Sequence, residues 1–148
     1  MTKKKEIVYK DYVPRDVSWM YFNRRILQEA NKPQVPLLER LSFLGIYSNN
    51  LDEFFRVRVA LLNRIAECDD RETRDERHDA IDTLKVINKL NAQYSKEYEN
   101  AIHQVTDELR NENICLVNDA EIDEEQREFV RNFYYKQLDG YIAPVWFS

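Results

Sequence analysis

A chain of 148 residues, 43% hydrophobic, has enough apolar mass to build a core without a metal or a disulfide framework. Its formal charge of −5, from 22 basic and 27 acidic side chains, argues against nucleic acid as the main partner, because phosphate contacts need a clustered basic face. Two glycines, against an average usage of about 7%, point to helices with few tight turns.

The chain opens on Lys3, Lys4 and Lys5, which read as a solvated end. The "EIVYKDYVPRD" that follows lacks the apolar centre of a signal peptide, and no uncharged stretch approaches the ~20 residues that span a bilayer. Cys68 and Cys115 stand at neither metal-ligand nor redox spacing and read as reduced thiols. Together these features point to a soluble, cytoplasmic protein.

Prolines divide the chain. Pro14, Pro33 and Pro36 lie near its start and Pro144 near its end, so nothing forbids helix across residues 37–143. A first helix is expected after Ser18 as N-cap, with Trp19, Phe22, Ile26, Leu27 and Ala30 at helical spacing, ended by "NKPQVP". Pro36 suits the first turn of a second helix that runs to about Glu67, roughly 45 Å at 1.5 Å per residue. A third, from about Asp75 to Glu112, carries Leu84, Ile87, Asn91, Tyr94, Tyr98, Ala101, Val105 and Leu109, a seam for another long helix. A fourth begins at Asp123, which forms a capping-box pattern with Gln126, and stops before Gly140. In the closing "GYIAPVWFS", Tyr141, Ile142, Val145, Trp146 and Phe147 read as the opening of an apolar strand whose partners lie outside this chain. The expected fold class is all-α, an antiparallel bundle or hairpin of long helices, followed by the truncated start of a second, α+β domain. The expected divisions are an extension over 1–15, a helical domain over 16–116 and the second domain over 117–148.

One stretch of the second helix, "LGIYSNNLDEFF", sets three poor helix formers in a row at Ser48, Asn49 and Asn50. Either the helix breaks there or those side chains have partners. At 100° per residue, Leu37, Leu44, Leu51, Phe55 and Leu62 form a core stripe, and Phe43, Phe54, Val57 and Leu61 form a second one that contains Asn50. The second stripe therefore faces another domain or a ligand. Asn50 is either an amide bonded to a neighbouring helix, fixing register, or a donor–acceptor pair matched to the edge of a heteroaromatic ring such as adenine. Spacing does not choose between them. Asp52 can pair with Arg56 four residues on. Asp52 and Glu53 diverge by about 100° and do not aim at one metal ion, so no metal site is expected in this chain. Ser48 and Asn49, elsewhere on the helix, are expected to serve packing and helix geometry.

"VSWMYFNRRILQEA" followed by "VPLLERLSFLGIYSNNLDEFFRVRVALL" resembles the N-terminal domain of polyphosphate kinase, the large class that works through a phosphorylated histidine. The Ser-Trp…Phe-Asn-x-Arg and Ser-x-Asn-Leu-Asp-Glu-Phe blocks carry the resemblance over residues 16–62. From 63 to 117 only helical pattern supports it. Residues 121–145 look like the start of the family's head domain, although "APVWFS" departs from its usual "PVLTPL". The resemblance implies an enzyme that reversibly moves the terminal phosphate of ATP onto polyphosphate with magnesium, a homodimer when full length. It assigns Asn50 to ATP in one wall of the nucleotide pocket. It also puts the phosphohistidine, the phosphate-binding arginines and the magnesium ligands in C-terminal domains outside this chain. No catalytic residue is thus expected in residues 1–148, and the chain alone should be inert. His78 and His103 match no family motif, and two glycines cannot make a phosphate loop. The rival reading is a stand-alone helical module that binds a partner protein.

Overall fold

The computed structural model describes residues 12–68 and 74–146, which form two compact units, one ending at Asn113 and the other beginning at Ile114. The lysine run at 3–5, most of the 1–15 extension, residues 69–73 of the polar stretch after Glu67, and Phe147 lie outside the described residues. Among the described residues there is no strand, and the fold is all-α.

In the first unit, helix α1 spans Arg15–Ala30. It starts four residues earlier than the Ser18 cap predicted. Pro14, with an extended backbone, is the capping residue, and the Ser18 N–H already donates to the Pro14 carbonyl at 2.9 Å. Asp16 in the first turn favours this start, because a carboxylate complements the positive end of the helix. The buried face is Val17, Met20, Asn23, Leu27 and Ala30. Phe22, expected in the core, is 58% exposed.

Helix α2 (Leu37–Phe54) passes through a π turn (Phe55–Val59) straight into α3 (Ala60–Glu67). No break occurs at Ser48, Asn49 and Asn50. Ser48 and Asn49 are exposed, so they do not serve the packing expected of them. The irregularity comes five residues later and changes the core pattern. Buried Arg40, Leu44, Tyr47 and Phe54 follow helical spacing, and the next buried residue, Val59, lies five further on, the period of a π turn. The expected stripes placed Phe54 outside the core and left out Tyr47, although both lie on the regular buried face of α2 ahead of the π turn, and the π turn itself adds Val59. Of the expected core stripe, Leu44 and Leu62 are buried and Leu37, Leu51 and Phe55 are partly buried against the same core, whereas Val57 and Leu61 of the second stripe are exposed.

Helix α4 (Arg74–Asn111, 38 residues) is about 57 Å long, and its expected seam is the packed one: Ile87, Tyr94, Ala101, Val105 and Leu109 are buried, with Leu84 and Tyr98 beside them. It ends where Asn113 takes a left-handed conformation, φ 60°. Cross-helix contacts fix antiparallel directions. Between α1 and the long α2–α3 rod, Ala30 meets Arg40, Asn23 meets Tyr47 and Asn50, Trp19 meets Phe54, and Asp16 meets Arg58. Between that rod and α4, Arg40 meets Glu108, Tyr47 meets Tyr98, and Ala66 meets Arg77.

In the second unit, helix α5 (Glu124–Phe133) starts at Asp123 with both hydrogen bonds of the expected capping box to Gln126. It continues through a π turn (Tyr134–Leu138) into a 3-10 turn (Asp139–Tyr141). Large apolar side chains on this unit are exposed, among them Phe129, Tyr135, Tyr141 and Trp146.

Candidate functional site

Asn50 opens on a cleft of about 350 Å³ between α1 and the α2 end of the rod, walled by Trp19, Phe22, Phe54 and Val57, with Glu53 and Arg58 at its polar side. Contacts made by its own lining residues hold its walls in place. The Trp19 indole stacks on Phe54 with centroids 4.0 Å apart and planes within 2°, so each ring fixes the other's rotamer. Arg58 is held by a two-pronged bond to Asp16, Nε at 2.9 Å and Nη2 at 3.0 Å, which strengthens its hold on its proton. Phe54, at the end of α2, packs on α1, and the π turn beyond it places Arg58 within reach of the N-terminal turn of the same helix.

Asn50 is half-buried, and its Nδ2 donates to Asn23 Oδ1 at 3.2 Å; Asn23 Nδ2 in turn donates to the Tyr47 carbonyl at 3.1 Å. The inter-helix amide contact of the first reading is thus present, and the same amide stands on the rim of an aromatic cleft. Its bonding partner is a side chain of α1. Asn23 was missed because apolar spacing alone defines the face of α1 in the sequence. Its signal was a polar residue on the stripe that runs from Met20 to Leu27.

Around this core sit other ionic anchors. Arg24 grips Glu97 through Nε (2.9 Å) and Nη2 (3.0 Å) and lies 4.9 Å over the Tyr94 ring. Tyr47 is buried with its hydroxyl unpartnered among the described residues, and burial, reinforced by Glu97 and the neighbouring tyrosines, pushes its pKa up to about 12. Arg40, 3% exposed, donates to the Ala30 carbonyl (2.8 Å) and to Glu108 (2.5 Å), and holds the Glu108 carboxyl below its ordinary range, assisted by Gln104. A second cleft, about 410 Å³, lies there against Pro33, Pro36, Asn111 and Glu112. Two carboxylates line it and the arginine is engaged through Nε and Nη1, its Nη2 being buried without a partner among the described residues, which suits a helix junction better than an anionic ligand. Asp52 pairs with Arg56 on the outer flank. His78 and His103 are exposed, as are both cysteines, which are free. Among the described residues no group of three or more His, Cys, Asp or Glu is placed to hold a metal ion.

The family described as polyphosphate kinase N-terminal domain matches residues 12–117. The chain belongs to that family. Curated relatives named polyphosphate kinase include those of Vibrio parahaemolyticus (37% identity over 138 residues), Vibrio cholerae (36% over 143) and Escherichia coli K12 (34% over 138). Each alignment covers 92% of this chain and 19 or 20% of the relative, so the chain spans about a fifth of their length. No solved structure matches it. The polyphosphate kinase N-terminal domain match covers α1 to α4, including the whole Asn50 cleft. Among the described residues no helix is long and apolar enough to cross a membrane.

Proposed function

We propose that this chain supplies the base-facing wall of the nucleotide pocket in a cytoplasmic polyphosphate kinase. In the full-length enzyme, a homodimer, the terminal phosphate of ATP passes reversibly to polyphosphate. The nucleophile, the charge-stabilising groups and the magnesium ligands belong to domains outside this chain, which alone is inert, since holding one edge of a nucleotide supplies none of what phosphoryl transfer demands. The domain divisions proposed are a helical domain over 16–116 and, over 117–148, the start of an α+β head domain. Exposed Phe129, Tyr135, Tyr141 and Trp146 are the surface on which the rest of that domain would fold.

The observation that carries the reading is the Asn50 amide on the rim of the cleft. An adenine ring offers a flat apolar face and a donor–acceptor edge; the exposed Phe22 ring and Val57 suit the face, and an amide suits the edge. Asn50→Ala in the full-length enzyme should weaken ATP binding by about 1–2 kcal/mol, roughly five- to thirty-fold. In the isolated chain the same substitution leaves Asn23 Oδ1 buried without its donor, so stability falls by up to about 1–2 kcal/mol as well. ATP affinity unchanged alongside that loss would return Asn50 to a purely structural role.

A further inference from the structure

An amide at the edge of a ligand cleft has two ends of nearly equal shape, one accepting and one donating, and a half-turn about its last side-chain bond exchanges them. Whatever holds the turn decides which bases fit. Asn50 is held by Asn23, and Asn23 has no such freedom. It is 1% exposed between Met20 and Leu27, and it faces the Tyr47 carbonyl at 3.1 Å, a group that only accepts. Asn23 must therefore turn its NH₂ to Tyr47 and its oxygen to Asn50. That oxygen only accepts, so Asn50 must offer its NH₂, at 3.2 Å. Among the described residues Asn50 Oδ1 has no hydrogen-bond partner, and Nδ2 retains its second N–H.

We propose that Asn23 is a positioning residue that locks the polarity of the Asn50 amide and so makes the cleft select a base with an amino donor at its 6-position over one with a 6-oxo group. This rests on the nucleotide reading of Asn50. The locked edge presents acceptor then donor, the complement of the adenine amino group and its neighbouring ring nitrogen. Hypoxanthine and guanine present the reverse pair, an oxo acceptor and a ring N–H. To meet them Asn50 would have to turn over, setting its oxygen against the Asn23 oxygen with no proton between them.

The test compares ATP with ITP, which differs only in the oxo group at position 6 and the ring proton it brings, by equilibrium binding to the full-length kinase. The wild type should favour ATP about tenfold or more. Asn23→Leu removes the lock while leaving Asn50 in place and should shrink the ATP-to-ITP preference at least about fivefold; a general loss of packing would weaken both nucleotides alike and leave the ratio unmoved. Asn23→Ser, whose short hydroxyl cannot span Tyr47 and Asn50, is read by the same ratio if the leucine variant does not fold. Equal wild-type affinity for the two nucleotides, or a preserved ratio in a folded Asn23 variant, overturns the proposal. The underlying reading fails separately: it falls if Asn50→Ala leaves ATP affinity unchanged, whereas an Asn50→Ala loss together with an unmoved Asn23 ratio removes only the lock.

Discussion

Replacing Tyr47 by Phe should stabilise the chain, and by more at alkaline pH than at neutral pH. The side chain is 2% exposed and its hydroxyl has no hydrogen-bond partner among the described residues, so the phenol has left water for nothing in return. Removing that oxygen should gain about 1 kcal/mol at pH 8, the lower end of what an unpaired buried polar group costs, since a small void replaces it. The pH dependence adds an independent check. Burial raises the folded-state hydroxyl from 10.0 to about 12, so the neutral form is favoured in the fold. The associated stability is present in full below pH 10, begins to fall there because the unfolded chain ionises first, and is lost by pH 12. At pH 11 the loss attributable to Tyr47 should be about 1.4 kcal/mol, one pH unit of difference between the two states. Urea unfolding of both proteins at pH 8 and pH 11 isolates it, because the other eight of the nine tyrosines cancel in the difference between variant and wild type. An identical variant-minus-wild-type difference at the two pH values would refute the desolvation argument. A destabilised variant at pH 8 would show that the hydroxyl has a partner.

Glu108, held below the ordinary carboxyl range first by Arg40 and then by Gln104, contributes stability above its ordinary value of 4.5 that is lost as pH falls toward its lower folded value. Glu108→Gln should therefore be less stable than wild type at pH 6 and converge on it toward pH 3 in urea titrations; a gap independent of pH would contradict the pairing. Gly45 sits in the middle of α2 with nothing within 4 Å of an added Cβ, so Gly45→Ala should raise the unfolding free energy of the isolated chain by about 0.5–1 kcal/mol. A loss on that substitution would mean a neighbour approaches this face.

The long helices were legible because their signals are negative and local. Prolines 14, 33, 36 and 144 leave the interior free of breakers, and the Asp123–Gln126 box needs only four residues to be read. The α4 seam was legible too, since an uninterrupted helix keeps one period over 38 residues. The core face was legible only in part: Leu44 and Leu62 of the expected stripe are buried, but Tyr47 and Phe54 lie on the buried face of α2 ahead of the irregularity, and the π turn at 55–59, which nothing in "FRVRV" announces, brings in Val59. Start signals also misled: Ser18 has the right chemistry for a cap, yet Pro14 and Asp16 already start the helix upstream. At the site, Asn50 stood out as a polar residue in an apolar stripe, whereas its pairing with Asn23 joins positions 27 apart and belongs to tertiary contact alone.

The π turn also constrains how this rod can vary. Deleting one residue from 55–59 would allow an unbroken α-helix, the cheaper backbone, but would turn everything beyond it by about 100°. Leu62, Ile65 and Ala66 would then leave α4, or, if they stayed, Trp19 would lose Phe54 and Asp16 would lose Arg58. The rod's two halves are keyed to different neighbours, and the surplus residue is the coupling that lets both engage at once. Length in that segment should thus be less negotiable than residue identity, and the cleft beside Asn50 takes its shape from a miscount in the helix.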